Sequence, residues 1–434
     1  MSIDLFRTIL VEFLEDEVQT GTRREQQPPT NNQAITTIIG GRRTGKTTLL
    51  KQIIEDLIKD GIPKNNIIYI NFEDERIPRE SKIFQILLEA HAELYPEAET
   101  KNCWFFFDEI QEIPGWELFI RRLHENKNQH IFITGSNSRF LSKEIATALR
   151  GRTIGYELYP FSFREYLLHK GYHPERQNTT RDKALLRREL KLYLEEGGYP
   201  ETIGQSAPTR AKILKAYLDV MIYRDLIERY DISNHNALKQ YIKKMLSNTA
   251  RESSIHKTYQ ELKSQGYKLS KDHLYLYQDW CEEIYLLFQL PQYHESFVKQ
   301  QARSKKIYGI DTGLINSTSF KTSQDKGRIM ENSVFLELKR REIDTCYNKE
   351  GKECDFLIKE KECITQAIQV TLSLEEETTK KREVEGLKYS MNKYKLPKGT
   401  IITLDEEGKI TVNNQTIIIQ PLWKWLIDKD MADQ

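Results

Sequence analysis

Apolar positions along the chain follow two different spacings, and where each holds predicts the elements. Ile3, Phe6, Ile9, Leu10, Phe13, Leu14 and Val18 recur every three or four residues, which predicts an amphipathic helix over 3–18. Gly21 to Gln33, polar and carrying Pro28-Pro29, reads as a linker. From Ala34 to Tyr159 short apolar runs alternate with helical patterns, predicting strands at 35–39, 67–72, 103–107, 130–134 and 153–158. Helices are expected between them at 46–60, 79–94, 116–127 and 138–149. Strands joined by helical crossovers form a parallel sheet with helices on both faces.

Pro160 ends that alternation. Residues 161–234 read as a helical accessory region broken at Gly197-Gly198 and Pro200. Residues 235–311 give helices at 236–248, 255–265 and 270–287, then strand-like runs at 286–290 and 306–310, an order that fits a winged helix-turn-helix. Mixed strand and helix returns over 312–434. The expected domains are thus 1–33, 34–160, 161–234, 235–311 and 312–434.

Composition narrows the class. The chain has 434 residues, 30% of them charged, with 65 Lys+Arg against 64 Asp+Glu, so a uniformly basic nucleic-acid coat is excluded and any basic face is local. No apolar run is long enough to span a membrane, and the first helix carries Asp4, Arg7, Glu12 and Glu15, so a cytoplasmic protein with no membrane partner is expected. Five cysteines without a C-x-x-C pair indicate neither a disulfide framework nor a zinc site.

The sharpest motif is Gly40-Gly41-Arg42-Arg43-Thr44-Gly45-Lys46-Thr47-Thr48, between a predicted strand and a predicted helix. Glycines let consecutive N–H groups converge on phosphate oxygens, so these nine residues are the expected ATP-binding loop. Lys46 would reach the β- and γ-phosphates and Thr47 would hold Mg²⁺. Some sixty residues on, the apolar run Trp104 to Phe107 ends in Asp108-Glu109. Asp108 is the expected second Mg²⁺ holder and Glu109 the base that polarises the attacking water. Ser136, and after it Asn137, follow the next strand as candidate γ-phosphate or water sensors. Arg150 and Arg152 are candidate charge-neutralising fingers, acting within the chain or through self-association. Asn71, Glu73 and Asp74 fall on the same expected ligand edge.

These segments, with Tyr159-Pro160-Phe161-Ser162-Phe163, Gly197-Gly198-Tyr199-Pro200-Glu201 and Lys306-Ile307-Tyr308-Gly309-Ile310-Asp311, resemble the prokaryotic AAA-type ATPases that carry a carboxy-terminal domain of unknown function, nuclease-like in part. The resemblance covers nearly the whole chain and implies ATP binding and hydrolysis.

Two further sites are expected in the second half. Residues 239–306 hold 12 Lys+Arg against 7 Asp+Glu, a local field that favours phosphate. In a winged helix, Lys271, His273, Tyr275 and Tyr277 would open the groove-reading helix, and Lys299, Arg303, Lys305 and Lys306 would contact DNA phosphates from the wing. Further on, Glu331, Asp355 and Gln369 occur in an order that resembles a restriction-endonuclease core. Gln369 stands where an acid is expected and Thr371 where a lysine is, so the domain reads as catalytically degenerate and no nuclease activity is expected. The expectation is an ATP-hydrolysing switch or motor that engages DNA. An ATP-gated nuclease and a non-enzymatic ATP-bound signalling adaptor are the alternatives.

Overall fold

The computed structural model describes residues 3–98, 102–125, 129–136, 149, 151–175, 179–318, 325–412 and 414–428, and the chain divides into two compact units, Met1–Tyr159 and Pro160–Gln434.

The first unit is a five-stranded parallel sheet with helices. Its strands are β1 (Ile35–Ile39), β2 (Ile67–Asn71), β3 (Trp104–Asp108), β4 (His130–Gly135) and β5 (Thr153–Glu157), in spatial order β2-β3-β4-β1-β5. The helices are α1 (Ile3–Glu15), α2 (Lys46–Lys59), α3 (Ile83–Leu94) and α4 (Trp116–Glu125). Strands β1 and β3 are buried almost throughout, as expected for a sheet covered on both faces. Phe106 and Phe132 stack at 4.7 Å in a core with Ile38, Leu50, Ile54 and Leu57. Because every pair is parallel, the carboxyl ends of β1, β2, β3 and β4 lie on one edge, where crossover loops converge. The predicted helix at 138–149 lies outside the described residues except for Leu149, which is buried.

Two expectations shift. Helix α3 starts at Ile83, after a turn spanning 79–82, and the expected linker is packed against the sheet unit. Gln52 of α2 donates to the carbonyls of Thr20 and Thr22 at 2.7 Å each and accepts from the Arg24 amide at 3.1 Å. Arg24 itself is only 4% exposed. Polar composition suggested solvent, but these backbone groups find their partners on a helix.

The second unit opens with α5 (Phe163–His169), α6 (Thr180–Glu196), α7 (Ala207–Val220) and a π-helical stretch, Met221–Glu228. Next come α8 (His235–Ser247), β6 (Arg251–Ser253), α9 (Ile255–Ser264), α10 (Lys271–Glu283), β7 (Leu287–Pro291), α11 (Phe297–Ala302) and β8 (Lys305–Gly309). Strands β6, β8 and β7 form an antiparallel sheet in that order. Helix α10 stops four residues earlier than its apolar pattern suggests, because Tyr285 takes φ +61° and turns the chain into β7. The remainder is α12 (Thr312–Thr318), α13 (Asp325–Arg340), β9 (Thr345–Asn348), β10 (Cys354–Glu360), β11 (Cys363–Val370), α14 (Glu377–Tyr394), β12 (Lys398–Thr403), β13 (Gly408–Val412), β14 (Gln415–Pro421) and α15 (Leu422–Ile427). Its six-stranded mixed sheet, β13-β14-β12-β11-β10-β9, packs α14 over Leu357, Ala367 and Ile401. Among the described residues no helix is long and apolar enough to cross a membrane.

Candidate nucleotide site

The loop from Gly40 to Gly45 leaves β1 at the ligand edge and feeds directly into α2. A side chain on Gly40 would meet the Leu158 carbonyl oxygen at 2.1 Å, so only glycine lets the two backbones approach. Gly45 caps α2 with φ +96°, a left-handed conformation that glycine takes without penalty. Thr44 donates its hydroxyl to the Gly41 carbonyl at 2.9 Å and closes the turn. The amino end of α2 therefore points its unpaired N–H groups and positive dipole end into the loop.

Lys46 is 5% exposed. Its ammonium donates to the Gly40 and Gly41 carbonyls at 3.2 Å each and lies 3.2 Å from Glu109 Oε1. Thr47 donates to Asp108 Oδ2 at 2.6 Å, so the two expected Mg²⁺ holders share one point in space. Asp108 ends β3 fully buried, and Thr134 from β4 donates to its Oδ1 while accepting from the Glu109 amide at 2.8 Å. Tyr69 of β2 adds a donor to Asp108 Oδ2 at 3.2 Å. Glu109 takes φ +50°, a strained conformation for a non-glycine residue, and Gln111 donates to its Oε2.

The two carboxylates are tuned apart. Burial, then repulsion from Glu109, pushes Asp108 above its ordinary range despite the donors from Thr134 and Thr47. Burial also acts upward on Glu109, but the Lys46 charge, the Gln111 and Lys46 hydrogen bonds and Arg42 outweigh it and hold the group low. Glu109 is thus kept ionised.

Ser136 follows β4, which lies between β1 and β3. It is 1% exposed, and its Oγ has no hydrogen-bond partner among the described residues. An orphaned buried hydroxyl between the loop and the acid strand suits a phosphate oxygen or a water. The donor set as a whole fits Mg-ATP: main-chain amides and a lysine for phosphates, and a hydroxyl with a carboxylate for a hard cation.

Other expected residues fare differently. Arg42 pairs with Glu73 at 3.2 Å, and the Asn71 side chain accepts from the Glu73 amide at 2.9 Å. Asp74 pairs with Arg76 at 2.8 Å, away from the phosphate loop's own bonds. Arg43 takes φ +63° in the loop, and Thr48 lies in the first turn of α2. Asn137 and Arg150 lie outside the described residues. Arg152 does not serve this site within the chain. It precedes β5, its carbonyl accepts from the Ile35 amide, and it lies near Glu125 at 3.9 Å, on the amino edge of the sheet. The five residues of β1 separate it from the phosphate loop by about 16 Å. Chain order put it one helix after Ser136, but strand direction carries it to the opposite edge.

Sequence reasoning missed Arg24, Tyr69 and Thr134. Arg24 reaches the Thr44 carbonyl and, at 2.7 Å, the Tyr159 carbonyl, bracing the loop from behind. Tyr69 and Thr134 sit in strands that were read only as apolar runs. A polar residue in an otherwise apolar strand was the available signal.

In the second unit Lys271, His273 and Tyr275 are exposed on the first turns of α10, where Ser270 and His273 form a capping box, and Lys299 is exposed on α11. Tyr277 is buried, 6.0 Å from Tyr241 ring to ring, and belongs to the core instead of a groove-reading face. Arg303 pairs with Glu350 at 2.6 Å, and Lys305 donates to Gln289 at 2.8 Å. Lys306 is 3% exposed and ion-paired, so it cannot contact DNA phosphates from a wing: it points to the opposite face of β8. Gln369, also buried, donates to Glu383 at 2.7 Å.

The fold and this pocket define a P-loop nucleotide-binding domain of the AAA type, and residues 32–167 match a family model described as an AAA domain. Residues 187–325 match one described as a domain of unknown function. The chain is 39% identical over 405 residues to the uncharacterized protein MJ1544 of Methanocaldococcus jannaschii, covering 89% of this chain and 87% of that one. It is 30% identical over 364 residues to an uncharacterized protein of Haemophilus influenzae, covering 82% and 86%. It belongs to the family of these proteins, and its first unit carries the AAA domain. A solved Walker-type ATPase, paby2304 of Pyrococcus abyssi, is similar at 14% identity and TM-score 0.39, covering 73% of this chain and 95% of that one.

Proposed function

We propose that the chain is an ATP-hydrolysing switch whose nucleotide state governs how its second half engages DNA. The observation that carries this reading is the convergence of Lys46 on Glu109 at 3.2 Å beside Thr47 on Asp108 at 2.6 Å. In the nucleotide complex the main-chain amides of Gly41 to Thr48 and the Lys46 ammonium hold the phosphates. Thr47 and Asp108 hold Mg²⁺, which neutralises phosphate charge when bound. Lys46 then leaves Glu109, whose freed carboxylate orients a water and takes its proton. Ser136 positions that water or the γ-phosphate. The DNA-facing part of the reading rests on α8, α9, α10 and the β6-β8-β7 sheet taken as a winged helix, with Lys271, His273, Tyr275 and Lys299 exposed to a duplex.

Phosphate release measured with and without single- and double-stranded DNA, at two salt concentrations, tests both parts. Lys46→Ala should lose nucleotide binding, whereas Glu109→Gln should bind nucleotide and lose turnover. Equal turnover in both variants overturns the assignments, and turnover indifferent to DNA removes the DNA partner.

A further inference from the structure

Strand β2 is an edge strand beside β3, and three of its five residues are isoleucine. Ile68 and Ile70 are fully buried on one face, and Tyr69 and Asn71 alternate with them toward the other. The parallel register pairs Tyr69 with Phe106 and Asn71 with Asp108, so Tyr69 shares a face with the acid that ends β3 but starts two residues behind it. A phenol is long enough to cover that gap, and its hydroxyl donates to Asp108 Oδ2 at 3.2 Å. Another isoleucine at this position would continue the apolar run and make no such bond.

Asp108 thus receives hydroxyls from three elements: Thr47 of α2 and Tyr69 of β2 donate to Oδ2, and Thr134 of β4 to Oδ1. A carboxylate offers about four lone-pair sites, which leaves one for a cation or a water of its shell. Tyr69 is in turn held by α1. Phe13 packs against its ring at 5.6 Å, beside a core that includes Phe106. Helix α1 is fastened on both sides of β2. Lys64, ahead of the strand, donates to the carbonyls of Leu14 and Asp16 at 2.7 and 2.8 Å, and Arg76, beyond it, pairs with Glu12 at 3.0 Å. Ile9, Phe13, Tyr69 and Asn71 line a cleft of 190 Å³. Ligand pockets start near roughly 300 Å³, so this space is too small for one and is instead room into which an unsupported ring would swing.

We propose that Tyr69 is a positioning residue for the magnesium site and that α1, through Phe13, holds it in place. This rests on the ATP reading of the phosphate loop and adds to it. Thr47 is there a holder of the cation, so Tyr69 and Thr134 are the two donors given wholly to the protein side of the site. Gripped at both oxygens, the Asp108 carboxylate is kept from rotating about its Cβ–Cγ bond, and little reorganisation is needed when the cation arrives. Outer donors of this kind orient a ligand without touching the metal. The amino-terminal helix thereby tunes metal affinity although it contributes no residue to the phosphate loop.

The test reads metal binding apart from turnover. Mn²⁺ binding to the full chain with a non-hydrolysable ATP analogue is followed by electron paramagnetic resonance, and binding of a fluorescent form of the same analogue is measured in chelator. Tyr69→Phe keeps the ring and removes the hydroxyl, so it should weaken Mn²⁺ binding about 10-fold and leave metal-free nucleotide affinity unchanged. Its phosphate release should approach the wild-type kcat as Mg²⁺ is raised. Phe13→Ala should weaken Mn²⁺ binding less, and should add nothing in a Tyr69→Phe background, because it acts through the hydroxyl already lost. Phe13→Leu takes its place if circular dichroism shows Phe13→Ala to be unfolded. Unchanged Mn²⁺ affinity in Tyr69→Phe overturns the proposal and leaves the ATP reading standing, as does an equal loss of metal-free nucleotide binding. A Phe13 effect undiminished in the Tyr69→Phe background overturns the part given to α1. A wild type that binds no Mn²⁺ with the analogue overturns the ATP reading and this inference together.

Discussion

The Arg24 guanidinium donates to the carbonyl of Tyr159, 135 residues away, at 2.7 Å, and its other nitrogen donates to the carbonyl of Thr44 inside the phosphate loop. One buried cation thereby ties the segment before β1 and the chain leaving β5 to the residue two positions before Lys46. Two carbonyls fixed by a planar fork cannot be matched by a lysine ammonium. Arg24→Lys and Arg24→Ala should both weaken nucleotide affinity, and Arg24→Ala should cost about 1–3 kcal/mol of stability through its stranded acceptors. Fluorescent-nucleotide titration and urea unfolding measure the two effects, and unchanged affinity in both variants would remove the bracing role.

Ser136 should behave in the opposite way. Its Oγ is buried without a partner among the described residues, so Ser136→Ala removes an unsatisfied group and should leave stability within about 0.5 kcal/mol of the wild type or raise it. Turnover should nevertheless fall on the order of 10- to 100-fold at unchanged nucleotide affinity, because a positioning donor is lost. Steady-state phosphate release set beside equilibrium binding separates kcat from affinity, and a wild-type kcat would assign Ser136 to packing alone.

Asp311 gives a pH signature for the second unit. Burial pushes its carboxyl up from an ordinary 3.8 to about 6, against the pull of N–H bonds from Gly198 at 2.6 Å and Leu314 at 2.8 Å. A carboxyl raised in the folded state binds its proton more tightly there than in the unfolded chain. Its contribution to stability is therefore greatest below pH 3.8 and is lost as pH rises through 6. Between pH 7 and pH 5 the wild type should gain about 1 kcal/mol relative to Asp311→Asn, which has no proton to take up. Urea unfolding of both proteins at the two pH values measures that difference, and a pH-independent difference would contradict the raised carboxyl.

Tyr275 and Tyr277 lie two positions apart on α10 and should separate binding from folding. Tyr277→Ala empties a core position and should destabilise by about 3–5 kcal/mol. Tyr275→Ala, at a residue 56% exposed, should leave stability within about 0.5 kcal/mol and, if α10 meets a duplex as proposed, weaken DNA binding. Lys271→Ala should reduce the salt dependence of that binding by about one unit of slope. Fluorescence anisotropy across a salt series reads both effects, and identical isotherms for wild type and Lys271→Ala would remove α10 from the DNA interface.

The parallel-sheet unit was legible because short, largely apolar runs alternate with helical patterns, and all five strand positions fall within one or two residues of expectation. The phosphate loop was legible for a related reason: its glycines, lysine and threonine act through backbone geometry that is local to eight residues. The acid pair at the end of β3 could be read because a buried strand rarely ends in two carboxylates without a task. The in-chain role expected of Arg152 does not fit, because position in the chain says nothing of strand direction, which puts it on the amino edge.

By itself, then, the sequence determined the elements and the chemistry of the phosphate loop, since both depend on neighbours only a few residues apart. Tertiary structure alone decided which distant side chains share a pocket. Arg24 behind the loop, Thr134 between Asp108 and Glu109, and Lys306 among Glu331, Glu353 and Asp355 are brought together by strand order and by which face of each strand is turned inward. A buried charge must find opposite charge or donors wherever the packed layers present them, and no local periodicity records where that is.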